Sequence, residues 1–363
     1  MEVYKMYDVY VLNKDFAIEG IIDTYESIIW RPAYYDIGDF ELYIAATPQT
    51  VALLQKNKYL VRRCDASVNN GVTTYKRVMI IKNIKLTTDI ENGDHLTVTG
   101  KELKYILHQR IVWQQTNLSG TVEAGIRKLI NENVISPTMS LRKISNFKLA
   151  PQVGLTSSLT KQLTGDYLDM AIVEICKTYE CGWDIYIEGG NYVFALYKGV
   201  NRSYTQNTRP YVVFSDKFDN ILNSTYELNS EQYANTFLIG GEGEGTERIY
   251  ATLDIAAEGI ERYEAYIDAR DVSQNKGSEN EISLSEYMTL LSARGSEKAK
   301  ELSITEGFSG EVLDMTFTYG KDYSLGDTVT IINSYGISKN VMVLSVIEAA
   351  DANGVSLIPQ FNI

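Results

Sequence analysis

The chain has 363 residues, room for two or three domains, and carries 47 Asp+Glu against 34 Lys+Arg for a net charge of −13. Its 44 % hydrophobic and 22 % charged residues can fill a core, which excludes intrinsic disorder; three cysteines exclude a disulfide-built scaffold. Two histidines, His95 and His108, leave no polyhistidine metal centre, and the 26 Tyr against 10 Phe and 3 Trp favour strands and half-wet packing. No run approaches the ~20 apolar residues that span a bilayer. Met1 to Asp15 lacks the basic head and apolar body of a secretory signal, so synthesis and folding in a cytoplasm are expected. The charge is uneven: −6 over residues 1–50, +9 over 51–150 and −16 over 151–363.

In chain order, alternating or continuous apolar runs predict strands at Tyr7–Leu12, Phe16–Ile22, Tyr25–Trp30 and Phe40–Ala45. A short helix is expected at Pro48–Lys56, with Thr47 as its cap and Pro48 at its first position. Strands resume at Tyr59–Arg63 and Tyr75–Thr87, and an Asn92-Gly93 turn leads back into His95–Thr99. Helices are expected at Lys101–Leu107, at Ser119–Asn131 with a Ser119 cap, and at 165–180 with Asp166 as cap and Gly182 as stop. Trp183–Ile187 and Tyr192–Tyr197 read as a hairpin across Gly189-Gly190, making residues 106–214 an α+β insert. Tyr211–Phe214, Tyr226–Leu228 and Thr236–Ile239 read as strands. A polar stretch, Asp271–Asn280, leads into a helical patch at 283–302, and Glu311–Thr318, Thr328–Ile332, Val341–Ile347 and Val355–Ile358 close the chain as strands.

Two segments resemble each other. Lys76–Ile81 with Ile84, Asn92-Gly93 and Leu96–Val98 is echoed by Lys339–Leu344 with Ile347, Asn353-Gly354 and Leu357-Ile358. The echo predicts a duplicated β-barrel, so that a ring of such chains would present twice as many similar barrels as subunits.

Little in the chain points to chemistry. Gly240–Gly245 follows a strand but lacks the dinucleotide spacing, and Glu242 and Glu244 would repel a pyrophosphate; a hairpin tip is expected. The clusters Asp36, Asp39, Glu41 and Glu261, Glu264, Asp268 read as solvated edges rather than a hydrolytic pair. Neither His95 nor His108 has a Ser or Cys motif beside it. Cys176 and Cys181 read as buried thiols. Gly38-Asp39, Gly93-Asp94 and Gly326-Asp327 read as turns, Gly taking a positive φ and Asp bonding nearby amides. The basic stretch Lys76, Arg77, Lys82, Lys85, Lys101, Lys104, Arg110, Arg127, Lys128, Arg142 and Lys143 suits a surface facing acidic neighbours better than DNA binding by so acidic a chain. No cofactor or metal is expected.

Four landmarks share an order and spacing with a known family. Trp30, Tyr34, Gly38, Asp39 and Phe40 stand in a W-x-x-x-Y-x-x-x-G-D-F-E-L run; Gly100 and Arg110 stand in a G-x-x-L…R-I-V segment. Asn220, Asn235 and Gly240 follow, and Leu325, Gly326 and Asp327 form a Y-x-L-G-D-x-V-T close. Together they resemble the tail-tip hub (tail-associated) proteins of siphophages and related prophages. The resemblance implies a mainly β chain with two similar β-barrel hub domains and smaller inserted α+β and helical domains. The first barrel would span 1–105, completed by about 215–240, with the α+β domain at 106–214. The second would span 241–280 and 306–363, with a small helical insert at 281–305. It also implies a homotrimer at the virion tail tip, assembled in the host cytoplasm and acting by assembly rather than catalysis. Its partners would be a distal tail protein ring, the tail tube or tape-measure protein, and tip or receptor-binding proteins, with DNA only in transit. Because the chain ends at Ile363, any lytic activity is expected on another chain. The alternative reading is a host-surface glycan-binding or cell-wall-hydrolysing tail protein.

Overall fold

A computed structural model of the chain describes residues 7–91, 93–254, 256–274, 282–313 and 316–362. Met1 to Met6 of the start, Asn92 of the Asn92-Gly93 turn, residues 275–280 of the polar stretch and 314–315 of the Glu311–Thr318 run lie outside these residues.

The chain opens with β1 (Val9–Leu12), β2 (Ile18–Ile22), β3 (Ser27–Arg31) and β4 (Asp39–Ala45), then α1 (Pro48–Leu53) and β5 (Tyr59–Arg62). A hairpin of β6 (Ala66–Asn69) and β7 (Val72–Tyr75) precedes the long pair β8 (Met79–Thr87) and β9 (His95–Glu102). The middle holds β10 (Thr116–Thr121), α2 (Val122–Ile130), β11 (Phe147–Leu149), β12 (Ser158–Leu163), α3 (Leu168–Tyr179), β13 (Gly182–Glu188) and β14 (Asn191–Tyr197). Then come β15 (Val213–Ser215), β16 (Ile221–Asn229), β17 (Thr236–Gly240), β18 (Tyr250–Asp254), β19 (Glu264–Asp268) and α4 (Leu284–Glu301). The close is β20 (Thr305–Val312), β21 (Thr328–Ile332), β22 (Ser338–Asp351) and β23 (Gly354–Asn362). The protein is mainly β, as its apolar alternation predicts.

Thirteen strands form one sheet. Its path is β16-β20-β23-β22-β3-β4-β9-β8-β5-β1-β2, with β21 on β22 and β15 on β21. The N-terminal and C-terminal strands join where Glu348–Asp351 of β22 pairs with Ser27–Trp30 of β3. The two expected closed barrels are not formed by the strand pairings among the described residues. β22 is 14 residues long and divides one edge between β21 and β3, so both edges of β3 are taken, by β22 and β4, and neither arc closes on itself.

The sequence echo corresponds to real structural likeness. β8–β9 and β22–β23 are both antiparallel hairpins with a register shift in the first strand, between Ile81 and Asn83 near the start of β8 and between Val343 and Ser345 midway along β22. The second turn is Ala352-Asn353, with Gly354 (φ +131°) already pairing Asp351 as the first residue of β23. Each hairpin backs its own apolar cluster, one containing Met79, Ile81, Leu96 and Val98, the other Val341, Val343, Val346 and Phe361.

α1 starts as expected, with Thr47 and Thr50 in a reciprocal cap and Pro48 inside it. Other ends differ. Ser119 pairs Thr160 in β10–β12, so the hydroxyl that caps α2 is Thr121, which accepts from Ala124 N. Asp166 accepts from Thr164 N, leaving α3 without a side-chain cap, and Glu180 in the left-handed region (φ 52°) ends it before Gly182. Lys101 and Glu102 remain in β9, and a 3-10 segment, Leu103–Gln109, replaces the expected helix. The expected strand Tyr75–Thr87 is broken at Arg77 (φ 48°), and Tyr75 ends β7. β6–β7 extends the insert's sheet, whose order is β11-β14-β13-β7-β6. β17, β18 and β19 form a small sheet under α4 around Phe237, Ile239, Tyr287 and Leu291.

Candidate functional site at the junction of the sheet arcs

The first motif builds a crossing in the main sheet. Trp30, fully buried, packs on Phe40 with ring centroids 5.7 Å apart, and Phe40 pairs Trp30 on one side and Gly100 on the other. A Cβ at Gly100 would lie 1.9 Å from Ile80 O and 2.7 Å from Phe40 Cε1, so the backbone crowding beside the β8 bulge requires glycine. Gly38 is not left-handed as expected; it is glycine because a Cβ would fall 2.1 Å from Arg31 O. Its N–H donates to buried Glu102 Oε2 at 2.9 Å. Asp39 does not bond a turn amide: it accepts from Arg31 Nε at 2.9 Å and from Lys101 Nζ at 3.3 Å.

The next motif residue is a keystone. Tyr34 is fully buried, its N–H donates to Leu344 O of β22 at 2.7 Å, and its ring meets Tyr197 of β14 edge-on at 5.2 Å. Its hydroxyl accepts from Gly199 N at 3.2 Å, and burial pushes its pKa up to about 12. Two glycines make room for the ring. A Cβ on Gly182 or on Gly326 would lie 2.2 Å from Tyr34 Cε2, and Gly326 has a φ of +83°. Leu325 packs against both the insert core and the C-terminal core. Asp327 accepts from Val200 N (2.8 Å), Arg202 Nε (2.8 Å) and Ser324 N (3.0 Å), clamping the segment that leaves β14. Tyr34 and the Leu325–Asp327 turn, far apart in sequence, thus meet at one three-way junction of both sheet arcs and the insert.

A buried ion cluster lies nearby. Arg62 is 1 % exposed; its Nη2 donates to Glu348 Oε1 at 3.0 Å, Nη1 sits 2.8 Å from Oε2, and Nε donates to Asp65 Oδ2 at 2.7 Å. Arg77 reaches both carboxylates at 3.3 Å and lies over the Tyr319 ring. Trp30 and Tyr7 flank the Arg62 guanidinium at 5.3 and 4.9 Å, and burial, then Glu348, raises the Tyr7 hydroxyl to about 12. Two cations and two anions balance here. Sequence reasoning missed the cluster, since Arg62 ends an apolar strand and Glu348 stands 286 positions away.

A profile of the siphovirus ReqiPepy6 Gp37-like protein family matches residues 8–361. The chain belongs to that family. Its fold is shared with a tail protein of Neisseria meningitidis MC58 (TM-score 0.60, 13 % identity, covering 98 % of this chain and 96 % of that one). It is likewise similar to the 43 kDa tail protein of prophage MuSo2 from Shewanella oneidensis (0.57, 11 %, 98 % and 98 %). The prophage tail protein gp18 of Listeria monocytogenes EGD-e follows (0.52, 11 %, 97 % and 94 %). No curated protein matches.

In this Gp37-like chain the remaining motif residues serve separate, local turns. Asn220 accepts from Ser215 N and donates to Val213 O, both at 2.8 Å. Asn235 donates to Glu261 O at 2.7 Å and accepts from Tyr263 N at 3.0 Å, setting the parallel start of β17 and β19. Gly240 accommodates Tyr266, whose hydroxyl would lie 2.1 Å from a Cβ, and Arg110 donates to Arg142 O at 3.2 Å. Gly240 ends β17, paired with Tyr250, and Gly241–Gly245 opens the β17–β18 connection. Three more of the suspected carboxylates are ion-paired: Asp36 with Lys177, Glu264 with Arg262, and Asp268 with Arg270, whose hydrogen bonds lower the Asp268 pKa to about 2. His108 stacks between Tyr105 and Tyr167 with Nδ1 3.0 Å from Asp169, and His95 Nε2 lies 2.6 Å from Glu26. The basic stretch is not one face. Arg77 and Lys104 are drawn inward, Lys104 Nζ capping Asp36 O at 3.2 Å, while Arg127 and Arg142 donate to Ala150 O and Ile111 O. Cys176 and Cys181 are buried, and Cys64 is exposed. Among the described residues no group of three His, Cys, Asp or Glu could hold a metal, and no helix is long and apolar enough to cross a membrane.

Proposed function

We propose that the chain is a structural hub of a phage tail tip. Three copies form a ring around a channel, joining a hexameric distal tail ring to threefold tip proteins and letting DNA pass. The observation that carries this reading is the paired bulged hairpin: one chain holds two similar sheet arcs, so three chains offer six similar lobes to a sixfold neighbour. On this reading the lobes correspond to residues 1–105 with 215–240, and to 241–280 with 306–363. The family match and the shared tail-protein fold support it, as does the −16 charge of residues 151–363, which disfavours sticking to DNA phosphates. The work of such a part is assembly, and partners of the ring are the tube or tape-measure protein and tip or receptor-binding proteins. Light scattering with electron-microscope class averages of the purified chain tests this: a threefold ring with six lobes is expected. A stable monomer at high concentration, with no ring formed on adding the distal tail protein, sinks it.

A further inference from the structure

The loop before β10, the end of α2 and the 3-10 turn Ser140–Arg142 enclose a cavity of about 700 Å³ on the α+β insert. Trp113 stands in its wall and is 55 % exposed, whereas Trp30 and Trp183 are fully buried. The Arg142 guanidinium lies 5.1 Å from the Trp113 ring and steadies one face of it. Gln114, Asn117 and Glu132 line the same space.

The setting is held from beneath. α2 runs on into a π-helical turn, Asn131–Ile135, a form that is rare and concentrates at functional sites. Asn133 in this turn is 3 % exposed. Its Oδ1 accepts from Trp113 N at 3.3 Å and Arg142 Nη2 at 3.2 Å, while its Nδ2 donates to Leu129 O at 3.0 Å. Arg142 Nη2 also donates to Ile111 O at 2.6 Å, and Thr116 Oγ1 donates to Glu132 Oε2 at 3.0 Å. Ring, guanidinium and carboxylate are therefore positioned before any ligand arrives, which lowers the entropic cost of binding one.

We propose that this groove binds a saccharide, the apolar face of one sugar ring stacking on Trp113 and its hydroxyls bonding Gln114, Asn117 and Glu132. Side-chain amides donate and accept, as a sugar hydroxyl does, and a half-exposed indole offers an apolar plate that water serves poorly. A nucleic acid strand fits less well. The two cations in the wall, Lys128 and Arg142, are already committed to Asn117 O and Ile111 O, and Glu132 faces the same space. This site is independent of the ring proposed above.

The test uses the full chain with cellotetraose, chitotetraose and maltotetraose at millimolar concentration. At least one should shift tryptophan emission saturably, a signal that Trp113 reports because the other two indoles are buried, with matching heat in calorimetry. Trp113→Ala, with its melting temperature unchanged, should lose at least tenfold in calorimetric affinity, and Gln114→Ala should weaken binding while keeping the fluorescent reporter. The proposal is overturned if none of the three sugars gives a saturable signal, if Trp113→Ala binds like the parent, or if a thymidine tetranucleotide binds more tightly than every sugar.

Discussion

Arg62 and Glu348 form a two-pronged buried ion pair, 3.0 and 2.8 Å across its two arms, between β5 in the N-terminal arc and β22 in the C-terminal arc. Both side chains are at most 6 % exposed, so neither charge can turn to water if its partner is lost. Glu348→Ala leaves the buried Arg62 guanidinium and the half-buried Arg77 guanidinium facing Asp65 alone. Breaking such a pair costs about 3–5 kcal/mol. Denaturant unfolding of the variant should show a loss of that size, with Glu348→Gln losing less because the amide oxygen still accepts. A loss below ~1 kcal/mol, the range of exposed pairs, would mean the cluster is solvated.

A second prediction concerns Tyr34 and Gly326. A methyl group at 326 would collide with the Tyr34 ring at 2.2 Å and hold an unfavourable φ of +83°. The backbone strain costs of order 1–3 kcal/mol, and the collision adds to it. Gly326→Ala should therefore cost more in the parent than in a Tyr34→Ala background, where the ring is gone and only the backbone strain remains. Tyr34→Ala itself should cost about 3–5 kcal/mol. A double-mutant cycle of unfolding free energies reads the coupling; an additive cycle would contradict the packed junction.

What could be read from the chain follows the range of the interactions. The strand-rich class, α1 with its Thr47 cap and the two echoing hairpins all rest on patterns within about ten to twenty residues, and all appear. The motif residues were legible in their order, yet their meaning was not. That Tyr34 fits between Gly182 and Gly326 depends on three segments meeting, which no local pattern encodes. The β6–β7 hairpin leaves no apolar alternation in the sequence, because Val68 and Val72 face outward among polar residues. Two echoing hairpins suggest closed barrels, but the length of β22 decides against them. The groove at Trp113 had no signal beyond a tryptophan in a polar stretch.

The third prediction is a pH effect. Burial alone would raise the Glu123 carboxyl, but N–H groups of Val153, Leu155 and Gly154 at 2.9, 3.1 and 2.7 Å outweigh it and hold the pKa below its ordinary 4.5. A carboxylate lowered in the folded state stabilises above its unfolded pKa, and that stability is lost as pH falls through the folded value. Unfolding free energy should therefore fall below pH 4.5 partly through this group. Glu123→Gln should be less stable at neutral pH and show a shallower acid limb. An identical acid limb in both proteins would remove Glu123 from the account.

The fourth prediction tests how the α4 unit is held on the insert. Lys161 of β12, 5 % exposed, bonds Glu297 of α4 and lies 3.1 Å from Glu174 of α3; Arg294 stands 3.6 Å from Glu174. Gln162 exchanges two bonds with the Ser273 backbone, at 2.7 and 3.3 Å. The contact is polar, because α4 and β17–β19 enclose a separate apolar cluster. Lys161→Met removes the cation that two acids share and should cost about 3–5 kcal/mol at neutral pH. Burial raises the Glu297 pKa even beside Lys161, and losing the lysine raises it further. A carboxyl raised in the folded state favours folding more as pH falls toward its unfolded value. The deficit of Lys161→Met should therefore shrink from pH 7 toward about pH 4.5. Limited proteolysis across 230–305 should accelerate in the variant at pH 7 and return toward the parent rate in acid. A deficit that stays constant with pH would show that Glu297 is already protonated or solvated in the parent.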